Sequence, residues 1–181
     1  MRRIINSTYM SLDGDVQNPE KWTFDYRSDD ANRFAHEQLE ACDTLLMGRR
    51  TYEGFAAHWP GVTGDMADRM NGYPKYVVSD SLTEPTWNNT TVIPRRDAVA
   101  RLRELKAEPG RDVVQYGYGP VTATLLGEGL LDELRIWVHP VLHGGNDPTG
   151  LLAHAGVHAR LALVDVARYE SGIVILSYRP L

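Results

Sequence analysis

An α/β fold is predicted for this chain, with a mostly parallel central sheet flanked by helices and an antiparallel hairpin edge at its C-terminal end. Three observations predict it. Short apolar runs alternate with helix-patterned stretches up to about residue 131. Glycine closes two of those runs just before a helix. Beyond residue 131 the pattern changes to long alternating segments joined by a hairpin connection.

The elements follow in order. Ile4–Tyr9 reads as the first strand, and Ser11-Leu12-Asp13-Gly14-Asp15 as a turn, because Asp-Gly strongly favours one. Residues 16–28 form an irregular loop carrying Pro19, Trp22, Phe24 and Tyr26. Asp30 can cap a helix to about Cys42, with Phe34, Gln38, Leu39 and Cys42 along one side. Leu45–Gly48 is the second strand, and Thr51–His58 a short helix halted at Trp59-Pro60-Gly61. Thr63–Asn71 is another helix. Lys75–Ser79 and Thr90–Ile93 are strands. Asp97 caps a helix through Val99, Leu102 and Leu105, stopped by Pro109-Gly110. Asp112–Tyr116 is the next strand, and Val121, Leu125, Leu126 and Leu130 mark the helix after it. Glu133–Leu142 alternates, with Leu134, Ile136 and Val138 facing one way and Arg135, Trp137 and His139 the other. Residues 143–158 are loop. Leu161–Tyr169 and Ile173–Tyr178 are joined through Glu170-Ser171-Gly172.

Bulk properties narrow the function. A length of 181 residues suits one domain spanning residues 1–181. Hydrophobic content of 43% and charged content of 24% are ordinary for a globular protein. The net charge of −5 and the scatter of basic residues argue against a nucleic-acid partner. Cys42 is the only cysteine, which excludes an intrachain disulfide and a cysteine-rich zinc site. His154 and His158 are four apart without an acidic third ligand at a suitable spacing, so no metal is expected. No run is long enough to span a membrane and no signal peptide precedes Ile4, so the expected location is cytoplasmic.

The chemistry concentrates where strands meet helices. At Gly48-Arg49-Arg50-Thr51 a strand ends on glycine, two arginines follow, and a helix opens. At Gly117-Tyr118-Gly119-Pro120-Val121 a second strand ends in spaced glycines before a helix. Backbone N–H groups at a helix start are unpaired and, with the helix dipole, attract phosphate. Two such sites suggest a ligand with more than one phosphate. The second lacks the third glycine of G-x-G-x-x-G, so a Rossmann fingerprint is not supported. Ser79 and Ser81 bring hydroxyls to a third strand end. Asp13 is the candidate for polar catalysis. Trp22, Tyr52 and His143 are candidate substrate contacts, since aromatic lining suits a flat heterocycle.

Ser11-Leu12-Asp13-Gly14, Leu46-Met47-Gly48-Arg49-Arg50-Thr51-Tyr52-Glu53, Lys75-Tyr76-Val77-Val78-Ser79, Gly117-Tyr118-Gly119 and His139-Pro140-Val141-Leu142, in this order, resemble the dihydrofolate reductase-like family. The similar branch is the C-terminal reductase domain of the bifunctional riboflavin-biosynthesis deaminase/reductase. The resemblance implies a dihydrofolate reductase-like fold, NADPH as hydride donor and a homodimer, for which the strand near 132–142 would supply an edge. It also implies that Gly48, Arg49, Arg50 and Thr51 meet phosphates, with one arginine near the adenosine 2′-phosphate and Ser79 and Ser81 flanking that side. Gly117, Tyr118, Gly119, Pro120 and Val121 would cradle the pyrophosphate and its ribose, and residues 10–14 would approach the nicotinamide. Two departures stand out: Tyr118, where relatives carry a small residue, and the altered stretch 143–148. The expected activity is hydride transfer to a small nitrogen heterocycle or a related C=N or C=O substrate. A nucleotide-binding module without turnover is the alternative, and a flavin-linked enzyme a third.

Overall fold

The computed structural model describes residues 1–145, 147–150, 152 and 156–181. His154, raised above as a potential metal ligand, lies outside the described residues, as do Asn146 and three other positions of the 143–158 loop. In chain order the elements are β1 (Ile4–Ser11), α1 (Asp29–Ala41), β2 (Cys42–Gly48), α2 (Arg49–His58), α3 (Asp65–Gly72), β3 (Lys75–Val78) and β4 (Thr90–Ile93). Then come α4 (Ala98–Ala107), β5 (Asp112–Tyr116), α5 (Pro120–Gly127), β6 (Glu133–His139), β7 (Leu161–Arg168) and β8 (Val174–Pro180). Eight strands form one sheet in the order β4-β3-β2-β5-β1-β6-β8-β7. The pairs from β4 to β6 are parallel, while β8 runs antiparallel to both β6 and β7.

Each face of the sheet has its own core, because the side chains of a strand alternate between faces. On one face Ile4, Leu46 and Val113 pack with Leu102 and Leu105 of α4 and Leu125 of α5. On the other, Leu45, Met47 and Val114 pack with Leu39 of α1, Tyr52 of α2 and Met70 of α3. Trp137, Ile173 and Ile175 form a third cluster with Ala31 and Phe34 of α1. The alternation expected along β6 therefore holds: Leu134 and Ile136 belong to the α4–α5 face and Trp137 to the α1 face.

Several boundaries differ from the sequence reading. The α2 helix begins at Arg49 rather than Thr51, because Gly48 is extended (φ −86°, ψ 169°) and serves as its N-cap. Cys42 opens β2 rather than ending α1, and burial pushes its thiol up to about 12. The expected dimer edge at 132–142 is corrected outright. Strand β6 is interior, paired on both sides by β1 and β8. Its apolar alternation reflects two covered faces, and a periodicity pattern carries no information on which strands sit alongside. The outer strands are β4 and β7, and β7 exposes Leu163, Val164 and Val166. No helix among the described residues is long and apolar enough to cross a membrane.

One buried cation helps seat α3 against the sheet. Lys75 is fully buried, and its ammonium donates to the carbonyls of Asn71 (2.9 Å) and Tyr73 (2.8 Å) while lying 4.3 Å from the Trp87 ring centroid. Desolvation lowers its pKa from 10.5 to about 8. Between those values the unfolded chain holds more protons than the folded one, so this group makes stability rise as pH climbs. Denaturant unfolding of wild type and Lys75→Met is expected to show the difference in stability shifting toward wild type from pH 8 to 10.5. Below pH 8 that difference should stay flat. A flat difference throughout would show that Lys75 titrates normally in the fold.

Candidate active site

The chain leaves β2 through α2 and α3 toward β3, and leaves β5 through α5 toward β6. These exits lie on opposite faces and lead in opposite directions along the sheet. Adjacent strands whose exits diverge in this way open a crevice at their carboxyl ends, where ligands of α/β sheets bind. Here the crevice lies between Gly48 and Gly117, and the starts of α2 and α5 meet across it. A Cβ on Gly48 would stand 3.5 Å from Val121 Cγ2. A Cβ on Gly117 would collide with the Thr51 hydroxyl, and Gly117 also has a positive φ of 79°. The structure thus brings Gly48, Thr51, Gly117 and Val121 together, with Gly119 as the N-cap of α5 and Pro120 in its first turn.

The basic residues stand at the mouth of this crevice. Arg49 donates to Glu53 Oε1 (2.6 Å) and to Ser81 Oγ (2.7 Å) and carbonyl (3.2 Å), linking α2 to the segment after β3. Arg50 is exposed and has no ion-pair or hydrogen-bond partner among the described residues. Ser79 faces inward: its hydroxyl accepts from the N–H groups of Ser81 and Leu82 (both 3.1 Å), which shapes the turn. Beside it an open groove of about 550 Å³ is lined by Ser79, Asp80, Leu82, Val92, Pro94 and Arg96. The Tyr118 ring is half-buried against the core on the α4–α5 face, so packing takes up its bulk.

Asp13 ties two loops together. Its carboxylate accepts from the Ser11 hydroxyl (2.5 Å) and from the N–H groups of Gly144 (2.8 Å) and His143 (3.1 Å). These bonds lower its pKa to about 2, the Ser11 hydroxyl contributing most. Backbone bonds from Leu12 to Val141, from Val16 to Gly150 and from Leu152 to Gly14 extend the tie. A carboxylate so engaged is a loop clasp and a poor proton donor at neutral pH.

Of the three expected substrate contacts, two lie near each other. Trp22 packs edge-on to His139 (5.3 Å between centroids) and lies 6.1 Å from the His143 ring. Tyr52 is 2% exposed and its hydroxyl accepts the Trp87 N–H (2.9 Å), which places it in the core.

Other residues on the α1 face form an aromatic wall that local motifs did not reveal. Tyr9 is 38% exposed and contacts Trp137 (5.3 Å) and His139 (5.0 Å). Phe34 of α1 meets Trp137 edge-on (5.5 Å), and Tyr116 contacts Phe55 (5.4 Å). Register explains the grouping: Tyr9 pairs with Trp137, Ser11 with His139, and Ser7 with Tyr116. Burial lowers the His139 pKa, and its Nδ1 lies 2.9 Å from the Trp137 carbonyl. Burial favours the neutral ring, and a carbonyl so close to Nδ1 requires that nitrogen to carry a proton. Strand-end aromatics of one parity were the available signal, but only the strand order makes them neighbours.

The model of the RibD C-terminal domain family matches residues 2–175. The chain belongs to that family. RibD C-terminal domains are reductase domains with a dihydrofolate reductase-type fold, in agreement with the sheet described above. An uncharacterized protein of Bacillus subtilis, YyaP, is 26% identical over 98% of this chain and 94% of its own length. Among solved structures, a candidate riboflavin biosynthesis protein of Shewanella sp. PV-4 superposes with a TM-score of 0.70 at 20% identity, covering 100% of this chain and 99% of that one. The diaminohydroxyphosphoribosylaminopyrimidine deaminase/5-amino-6-(5-phosphoribosylamino)uracil reductase of Thermotoga maritima superposes at 0.68 and 16% identity. That match covers 99% of this chain and 57% of that one.

The junction of α2 and α5 generates a direct test. Gly117→Ala should lower unfolding stability by about 1–3 kcal/mol through its backbone conformation and the Thr51 contact. Adding Thr51→Ala should recover part of that loss. Chemical denaturation reads both, and a neutral Gly117→Ala would mean that the two helix starts are not in contact.

Proposed function

We propose that this protein is a cytoplasmic NADPH-dependent reductase acting on a small nitrogen heterocycle or a related C=N or C=O compound. The observation that carries the reading is the meeting of two helix N-termini at the β2–β5 crevice, with Arg49 and Arg50 at its mouth. The residues suit a dinucleotide. Backbone N–H groups at Gly48–Thr51 and Gly117–Val121 would hold the phosphates, because they are unpaired helix-start donors in a positive dipole. The arginines add charged forks, and the Ser79–Arg96 groove would take the adenosine end. When bound, NADPH supplies a hydride. The chain's own part is to orient the substrate against the aromatic wall and to exclude water there, with Trp22 closing one side. The heterocycle preference draws on that wall and on the uracil reductase activity named for the Thermotoga relative.

Calorimetric titration with NADPH and with NADH tests the reading. NADPH should bind more tightly than NADH. The Arg49→Ala, Arg50→Ala double variant should lose at least about tenfold in NADPH affinity, the scale of one charged hydrogen bond. Binding of neither nucleotide would refute the reading. Binding with no NADPH oxidation across a panel of heterocycles would favour a nucleotide-binding module without turnover.

A further inference from the structure

The sheet leaves one aromatic residue open beside the crevice. Strand β5 ends at Tyr116, which pairs with Ser7, whereas β1 continues to Ser11 with β6 still alongside. The chain of β5 turns at Gly117 into α5, so Thr8–Ser11 run past its end with a strand on one side only. Tyr9 stands on that stretch, about 7 Å beyond the Ser7–Tyr116 pair. The other rings of the wall are engaged. Trp22, Trp137 and His139 are buried, with Trp137 Nε1 donating to Ser7 Oγ (3.0 Å) and Trp22 Nε1 to the Gln17 carbonyl (3.1 Å). Tyr26, Phe34 and Tyr116 pack against the cores of the α1 face. Tyr9 alone of these is exposed, and its neighbours Trp137 and His139 are tilted to it by 60° and 59°, so neither lies flat upon its ring. The surroundings are apolar too. Apart from Met1, Leu181 and β7, the large apolar residues exposed among those described are Tyr9, Leu12, Phe24 and Leu142. Leu12 and Leu142 stand on the loops after β1 and β6, which the Leu12 N–H joins by donating to the Val141 carbonyl (2.8 Å), and Phe24 stands on the loop that carries Trp22. Apolar surface gathered at the carboxyl ends of strands marks a ligand site.

We propose that Tyr9 determines the substrate class by stacking on the face of a flat aromatic heterocycle. The proposal rests on the reductase reading and narrows it to the aromatic compounds among the heterocycles and C=N or C=O compounds named there. An aromatic ring gains from offset stacking on Tyr9, and an aliphatic carbonyl compound does not. The platform is rigid, because Tyr9 lies on an interior strand, pairs with Trp137 in the backbone register and is braced by two buried rings. The Asp13 carboxylate does not compete for the site, since the Ser11 hydroxyl and the N–H groups of His143 and Gly144 hold it. The working part of Tyr9 is its ring; the hydroxyl is not required.

The test adds quinoxaline, quinazoline and uracil, all flat nitrogen heterocycles, to the protein saturated with NADP+, and follows binding by NMR. Cyclohexanone, a C=O compound without an aromatic ring, is the comparison. Wild type should bind at least one flat probe saturably and more tightly than cyclohexanone. The Tyr9 ring-proton resonances, assigned as those missing from Tyr9→Leu, should then move upfield, the direction imposed by the ring current of a stacked partner. Tyr9→Leu should lose about tenfold in affinity for that probe, the scale of one base–aromatic stack, and with it the preference over cyclohexanone. Tyr9→Phe keeps the ring and should bind like wild type. NADP+ affinity should be unchanged in both variants, which separates the stacking role from folding. Wild-type affinity in Tyr9→Leu, an equal loss in Tyr9→Phe, unmoved Tyr9 resonances or no flat probe bound would overturn the proposal. The NADP+ titration that precedes the probes reports separately whether the reductase reading itself has failed.

Discussion

The carbonyl oxygen of Gly117 is held by three side chains, and the geometry of the crevice depends on that restraint. Asn6 Nδ2 donates to it at 2.8 Å, Gln115 Nε2 at 2.7 Å and Thr122 Oγ1 at 3.4 Å. The donors come from β1, β5 and α5, so one oxygen joins the central strand, the strand before the turn and the helix after it. Asn6, Gln115 and Thr122 are all essentially buried, and they satisfy one another as well. Asn6 Nδ2 donates to Gln115 Oε1 (2.5 Å), Thr122 Oγ1 to the same oxygen (3.0 Å), and Thr8 Oγ1 to Asn6 Oδ1 (2.9 Å). A buried polar group left unpaired costs about 1–3 kcal/mol, so the network specifies one arrangement strongly. With the turn fixed, Gly117 sits against Thr51, and the starts of α2 and α5 share one crevice.

The same network separates two tasks. Its side chains belong mainly to the α4–α5 face of β1 and β5, where they anchor the crevice. The neighbouring residues of opposite parity, Tyr9 and Tyr116, project onto the α1 face and build the aromatic wall. Alternation along two adjacent strands thus places the crevice and an aromatic surface at the same end of the sheet. The loop clasp at Asp13 adds a third component by pinning the segment after β1 to the segment after β6.

Much of this was legible in the sequence, for local reasons. Apolar runs ending in glycine before a helix located the ends of β2 and β5, and period-2 alternation located β6 and both its faces. What was not legible depended on partners distant in the chain. Asp13 is a catalytic candidate in sequence because the resemblance brings residues 10–14 toward the nicotinamide; its hydrogen-bond partners His143 and Gly144 lie 130 and 131 positions away and are invisible to local reading. Strand order could not be read from any one strand, so β6 looked like an edge, and Tyr9, Trp137 and His139 did not look like neighbours. Tyr52 sits beside the arginine pair in sequence, yet one helical turn carries its ring into the core. Tyr118 looked like an obstacle in the cradle because nothing local indicated the hydrophobic surface that receives it.

The central claim is that the β2–β5 crevice binds the phosphates of a nicotinamide dinucleotide through the starts of α2 and α5. Backbone amide chemical shifts recorded during NADP+ addition test it most directly. The account predicts that the amides of Gly48–Thr51 and of Gly117–Val121, apart from Pro120, shift together and saturably, while those at the opposite edge of the sheet stay still. Shifts confined to other regions, or none at saturating nucleotide, would contradict it.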